Sequence, residues 1–215
     1  MNNPSAILFD LDGTLVESLG VLRQAYDDFL TSYGISPSDL EFQSLNGPPL
    51  KLIVQALKAN HGLSETDEKL YLDYTKIVDK HYLSAHPVAG AQRILQTARI
   101  NNCEIGIVTS NSRTRTQSWL AHCKLSDYVN FIVAGDDVTH GKPHPEPYER
   151  ALEKLSGKSG HCCAVEDSIQ GVQSATGAGI YTYLLGNNRA IAGSPNLVSQ
   201  VESLQYLNEI LWPGV

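Results

Sequence analysis

The sequence predicts an α/β protein: a doubly wound parallel sheet whose first strand is followed by a long all-helical insertion. Three observations carry that expectation. Short apolar runs recur along the chain and stop at polar residues, as strands buried on both faces of a parallel sheet do. Amphipathic helical patterns alternate with these runs, and a βαβα alternation winds right-handedly into one open sheet. The stretch from Glu17 to His86 keeps helical periodicity throughout and has no obvious strand.

In chain order, Ala6-Ile7-Leu8-Phe9 is the first strand and ends at Asp10. In the insertion, Leu22, Tyr26, Phe29 and Leu30 form one apolar face. Leu50, Ile53, Val54 and Leu57 form a second, and Leu70, Tyr71, Tyr74, Ile77 and Val78 a third. Pro37, Gly47-Pro48-Pro49 and Gly62 punctuate them. After the insertion come a helix over Ala89–Thr97, a strand within Asn102–Ser110 and a helix over Arg115–Leu120. Phe131–Ala134 is the third strand. Pro147–Leu155 is a helix with Pro147 in its first turn, where the missing N–H costs nothing. Cys162–Val165 is a strand that stops at Glu166-Asp167, Ile169–Ala178 a helix, and Ile180–Leu185 the fifth strand. A last helix is expected over Val198–Leu211, with Val201, Leu204, Leu207 and Leu211 on one side. The domains expected are a core of residues 1–16 with 88–215 and a helical cap of residues 17–87.

Composition narrows the function. The chain has 215 residues, 42% of them hydrophobic, enough for a sizeable core. Sixteen Lys and Arg against 23 Asp and Glu leave a net charge of −7, a field that repels nucleic acid and anionic membranes. No run approaches the ~18 apolar residues of a membrane-spanning helix, and Met1–Ser5 lacks the basic region of a signal peptide. The four cysteines form no CxxC pair and read as thiols in a reducing cytoplasm. A cytoplasmic monomer is expected, with a dimer left open.

Four clusters at strand ends bear chemistry. Asp10 and Asp12 repel each other and need a counter-ion, which a hard divalent cation such as Mg²⁺ supplies through oxygen ligands. A carboxylate beside such a cation can attack phosphorus, and its neighbour can protonate the leaving group. Thr109-Ser110-Asn111 can hold phosphoryl oxygens through hydroxyl and backbone N–H, while Ser110, Asn111 or Ser112 can cap the next helix. Lys142, in Gly141-Lys142-Pro143-His144-Pro145-Glu146-Pro147, is presented from a proline-stiffened loop and can neutralise carboxylate and phosphoryl charge. Glu166 and Asp167 are the remaining candidate cation ligands, although acids also suit the start of a helix. His140 and His144 are four apart but span a proline, so they are not expected to ligate a metal from one helical turn.

With these residues in place the chain resembles the haloacid dehalogenase-like superfamily of phosphotransferases. Asp10-Leu11-Asp12-Gly13-Thr14 is similar to its first motif, Thr109 or Ser110 to its second, Lys142 to its third and Glu166-Asp167 to its fourth. The resemblance covers essentially the whole chain. It implies a Rossmann-like three-layer core with strand order 3-2-1-4-5 and Mg²⁺ as cofactor. It also implies a helical cap inserted after the first motif, as in the phosphoglycolate phosphatase and β-phosphoglucomutase branch. By the resemblance Asp10 is the nucleophile that becomes an aspartyl-phosphate. Asp12 is the general acid and then base, its backbone carbonyl also binding the metal, and Lys142 is catalytic. Asp10, Asp12, Glu166 and Asp167 would hold Mg²⁺. Thr109, Ser110, Asn111 and Lys142 would hold phosphate.

Two departures favour water over a sugar as acceptor. The loop Gly47-Pro48-Pro49-Leu50 lacks the arginine usual in β-phosphoglucomutases, and Leu22-Arg23 stand where those enzymes often carry a histidine. A phosphomonoester hydrolase acting on phosphoglycolate or a sugar phosphate is therefore expected. A mutase-like phosphotransferase and a non-catalytic binding module are the alternatives. Glu17, Asn46, Lys51 and Arg113 are the expected substrate contacts.

Overall fold

The computed structural model describes residues 3–45, 48–156, 161–186 and 197–214, which divide into two compact units. Residues 18–85 form one; residues 1–17 and 86–215 form the other.

The larger unit is built on a six-stranded sheet in the order β3-β2-β1-β4-β5-β6, every neighbouring pair parallel. Its strands are β1 (Ala6–Phe9), β2 (Glu104–Val108), β3 (Phe131–Val133), β4 (Cys162–Glu166), β5 (Tyr181–Leu185) and β6 (Leu197–Val201). Side chains alternate between faces along a strand. Ile7, Leu8 and Phe9 are nevertheless all fully buried, so both faces of the central strand are covered. That is why the strand reads as a continuous apolar run rather than an alternating one. Leu8, Val108, Val133 and Ala164 pack with Tyr148, Ala151 and Ala175 from two of the helices.

Sequence and structure differ at the end of the chain. The helix expected from Val198 begins only at Leu204, and residues 197–201 instead add a sixth strand along β5. Val198 and Val201 fit the helical spacing, but β-branched residues suit a strand better. The true helix start is marked by Ser203, whose Oγ accepts the N–H of Tyr206 at 3.1 Å.

The unit of residues 18–85 contains α1 (Leu19–Ser32), α2 (Asp39–Ser44), α3 (Leu50–His61) and α4 (Asp67–Tyr82). Tyr26, Phe29, Leu30, Val54, Leu57, Leu70, Tyr74 and Val78 form its own buried core. Gly62 ends α3 at φ +62°, a left-handed turn that favours glycine. The remaining helices belong to the larger unit: α5 (Ala91–Ile100), α6 (Arg113–His122), α7 (Glu146–Lys154), α8 (Ile169–Gly177) and α9 (Leu204–Leu211). No helix among the described residues is long and apolar enough to cross a membrane.

Candidate active site

Because β2, β1 and β4 are neighbours, the residues that leave them emerge at one edge of the sheet. Asp10 follows β1, Thr109 follows β2, Glu166 closes β4 and Asp167 follows it. This is the carboxyl edge, where open α/β sheets bind their ligands.

Lys142 joins the three strand ends. Its Nζ donates to Asp10 Oδ1 at 2.7 Å, Val108 O at 2.9 Å and Glu166 Oε1 at 2.5 Å. An ammonium has three protons, and here each has an acceptor. The side chains are desolvated, with 7% of Lys142, 10% of Asp10 and none of Glu166 exposed. Burial by itself would lower the Lys142 pKa, but the charges of Asp10 and Glu166 outweigh it and hold the ammonium above its ordinary value.

The acids carry more negative charge than Lys142 can offset. Burial pushes Glu166 up to about 8; the charge of Asp10 adds to that, while Lys142 and the Tyr148 hydroxyl oppose it. Burial likewise pushes Asp167 up to about 7, helped by the charges of Asp10 and Asp12. Ligand oxygens of Asp10, Glu166 and Asp167 all lie within 4.8 Å of one another. An all-oxygen, acid-rich set short of positive charge fits a hard divalent cation such as Mg²⁺.

Two glycines make room for these acids. Gly13 sits at φ +82°, and a Cβ there would lie 1.9 Å from Asp167 Oδ2. A Cβ at Gly171 would lie 1.8 Å from Glu166 Oε2.

Asp12 is held separately. Asn111 Nδ2 donates to Asp12 Oδ2, and Arg115 Nη1 donates to Asn111 Oδ1 at 2.7 Å. A guanidinium can only donate. It therefore holds the amide oxygen of Asn111 towards itself and turns the amide N–H₂ towards Asp12. Thr109 is buried, and its Oγ1 accepts the N–H of Asn111 at 3.1 Å. Ser110 is exposed. Of the three candidate caps Ser110, Asn111 and Ser112, the cap is Ser112, whose Oγ accepts the N–H of Arg115 at 3.3 Å.

The expected substrate contacts fare differently. Arg113 is committed within its own unit: its guanidinium donates to the Asp137 carboxylate and, at 3.0 Å, to Ile132 O. Those acceptors lie far from Arg113 in sequence. Glu17, expected in the cap, belongs to the larger unit, where its N–H donates to His86 O at 2.9 Å. Lys51 is an exposed residue of α3. Asn46 lies outside the described residues.

His140 and His144 do meet, their rings stacked at 4.7 Å, because a turn rather than a helix joins them. Both serve the loop. His140 Nδ1 pairs with Glu146 Oε2 at 2.9 Å, and His144 Nδ1 accepts the N–H of Glu146 at 3.1 Å. The same Glu146 carboxylate accepts the N–H groups of Thr139 and His140 and so braces the segment that carries Lys142.

The sequence profile of the haloacid dehalogenase-like hydrolases matches residues 7–185, most of the chain and every strand end described above. The chain belongs to that family. Among similar members, the phosphorylated carbohydrates phosphatase of Thermotoga maritima is 28% identical, over 96% of this chain and 99% of its own. Pyrophosphatase PpaX of Oceanobacillus iheyensis is 28% identical over 82% of this chain and 80% of its own. CbbY from Rhodobacter sphaeroides, solved in complex with phosphate, shares the fold with a TM-score of 0.83 at 21% identity, over 95% of this chain and 96% of that one. Within this haloacid dehalogenase-like hydrolase, Tyr148 is the residue of the candidate site that motif spacing misses. It sits on a helix where periodicity explains it as packing.

Proposed function

We propose that the protein is a Mg²⁺-dependent phosphomonoester hydrolase acting on a small phosphorylated metabolite of the phosphoglycolate or sugar phosphate class. The observation that carries this reading is the buried Lys142 ammonium holding Asp10 and Glu166 together at adjacent strand ends. It orients one carboxylate as nucleophile while offsetting the charge that would repel a phosphate. Three of the similar relatives are named a phosphorylated carbohydrates phosphatase, a pyrophosphatase and a phosphoglycolate phosphatase, which favours hydrolysis at phosphorus.

In this mechanism an Asp10 oxygen bonds to phosphorus as the ester P–O bond breaks, giving an aspartyl-phosphate. Asp12 gives its proton to the departing alkoxide. Asp12, now a carboxylate, takes a proton from water, whose oxygen bonds to phosphorus and frees Asp10 and inorganic phosphate. Asn111, turned by Arg115, sets the Asp12 carboxylate in place for both transfers. Thr109 and Ser110 at the end of β2 would receive phosphoryl oxygens, with Lys142 beside them. Mg²⁺, held by Asp10, Asp167, the Asp12 carbonyl and Glu166 directly or through water, would supply positive charge to the transferring phosphoryl group. Residues 18–85 would serve as the cap that excludes bulk water.

The test is release of inorganic phosphate from p-nitrophenyl phosphate, phosphoglycolate and a sugar phosphate panel, with and without Mg²⁺. Metal-dependent release is expected. No release across the panel would overturn the reading, as would conversion of β-glucose 1-phosphate to glucose 6-phosphate without release.

A second expectation concerns the metal alone. Asp167 and Glu166 titrate at about 7 and about 8, so protons compete with Mg²⁺ below that range. Above it the acids are ionised, mutually repulsive and open to the cation. The rise in Tm on adding Mg²⁺ should therefore be larger at pH 8 than at pH 6. Equal shifts at both pH values would contradict the assignment of these acids as ligands.

A further inference from the structure

Tyr148 carries a buried polar group that the mechanism above leaves without a role. It lies on α7, fully buried among Leu8, Val108, Val133, Ala151 and Ala164. A phenylalanine would fill that apolar space equally well. The hydroxyl is therefore the part to be explained, since a buried O–H without an acceptor is costly. Its acceptor is Glu166 Oε1, at 2.5 Å, the same oxygen that takes Lys142 Nζ at 2.5 Å. The ring also lies beside the ammonium, with Nζ 5.4 Å from its centroid.

We propose that Tyr148 is a positioning residue for phosphoryl transfer: by sharing Glu166 Oε1 with Lys142, its hydroxyl fixes the Glu166 carboxylate and, through it, the distance from Lys142 to Asp10. The inference rests on the function proposed above. One carboxylate oxygen carries two acceptor positions, and here one goes to Lys142 and one to Tyr148. The other oxygen, Oε2, has Ser168 Oγ at 3.5 Å and the space left by Gly171. Without the phenol, Glu166 can turn about its own side chain. Lys142, already bonded to Asp10, Val108 O and Glu166, must follow it or lose a bond. If it follows, the ammonium leaves its place at Asp10; if it stays, it loses one of the three acceptors that fix it there. Tyr148 is sealed among apolar side chains and the Glu166–Lys142 pair, so its ring and hydroxyl do not themselves touch substrate.

The test is Tyr148→Phe, which keeps the ring and deletes the donor. Loss of one hydrogen bond to a charged group should lower kcat about tenfold, with KM within about twofold. Calorimetry with magnesium chloride alone should show Mg²⁺ binding weakened by several fold, because Glu166 is no longer held. In the double variant Y148F/E166Q, kcat should match that of E166Q, because Tyr148 acts through the Glu166 charge. The double variant also serves if Y148F folds poorly, since an uncharged glutamine needs the phenol less. Wild-type kcat and Mg²⁺ affinity in Y148F would overturn the proposal, as would additive losses in the double variant or a KM effect without a kcat effect. A wild-type protein that binds Mg²⁺ but hydrolyses no phosphate ester would sink the functional reading alone. The calorimetric comparison would then still decide the role of Tyr148, unchanged affinity in Y148F counting against it. Failure of the wild type to bind Mg²⁺ at millimolar concentration would overturn both.

Discussion

Asp10→Asn is expected to lower kcat on the order of 10⁴-fold or more while leaving the fold intact. The loss follows from chemistry rather than packing. An amide cannot form the acyl phosphate, and no neighbouring acid sits where Asp10 does, directly after the central strand β1. KM is not expected to absorb the effect, because the residues proposed to hold phosphate, Thr109, Ser110 and Lys142, are unchanged. Stability should move the other way. The charge of Asp10 helps push both Glu166 and Asp167 up, so removing it relieves repulsion among buried acids. In Mg²⁺-free buffer at pH 8, D10N should melt no lower than wild type. Phosphate-release kinetics and a thermal scan check both halves. Turnover above about 1% of wild type would remove Asp10 from the nucleophile's role.

Lys142→Ala should damage rate and stability together. The ammonium is the positive partner of two acids, one of them without any exposed side chain. Removing one member of a buried pair strands the other, at a cost of about 3 kcal/mol or more. In a chain of 215 residues that lowers Tm by about 6–12 °C. The loss of preorganised charge beside Asp10, the proposed nucleophile, should cut kcat by about 10²–10³-fold. The pH dependence has a definite sign. Glu166 titrates at about 8 in the wild type, with Lys142 among the groups pulling it down. Without Lys142 its pKa is higher still. Below about 8 Glu166 takes up a proton in both proteins. Above it only the wild type has an ionised Glu166 matched by a cation. The Tm gap between wild type and K142A should therefore widen from pH 7 to pH 9. A gap that closes with rising pH would contradict this account of the pair.

The residues proposed to carry the reaction are legible along the chain. Asp10 and Asp12 follow an uninterrupted apolar strand, and Glu166 and Asp167 follow another. Lys142 is held among three prolines. Each of these is a local pattern, because a parallel strand buried on both faces must be apolar and its first polar residue marks its exit to solvent. The edge strand β6 escaped because Val198, Val201, Leu204 and Leu207 satisfy a helical period almost as well as a strand followed by a helix. The cap at Ser203 was the local signal that separates the two. The partners of Arg113, Asp137 and Ile132 O, could not be read from the sequence, because only the return of β3 brings them near.

By itself, then, the order of residues determined the alternation of strands and helices, the family, and the acids and lysine on which the proposed chemistry rests. Apolar periodicity and first-polar-residue positions are properties of neighbours in sequence. Tertiary structure alone decided that Lys142 spends its three protons on Asp10, Val108 and Glu166, that Tyr148 shares the Glu166 oxygen, and that Arg115 turns Asn111 towards Asp12. A hydrogen bond is set by distance and direction between atoms. Those are fixed only when the register of β2, β1 and β4 and the seating of α6 and α7 bring residues together from across the whole chain.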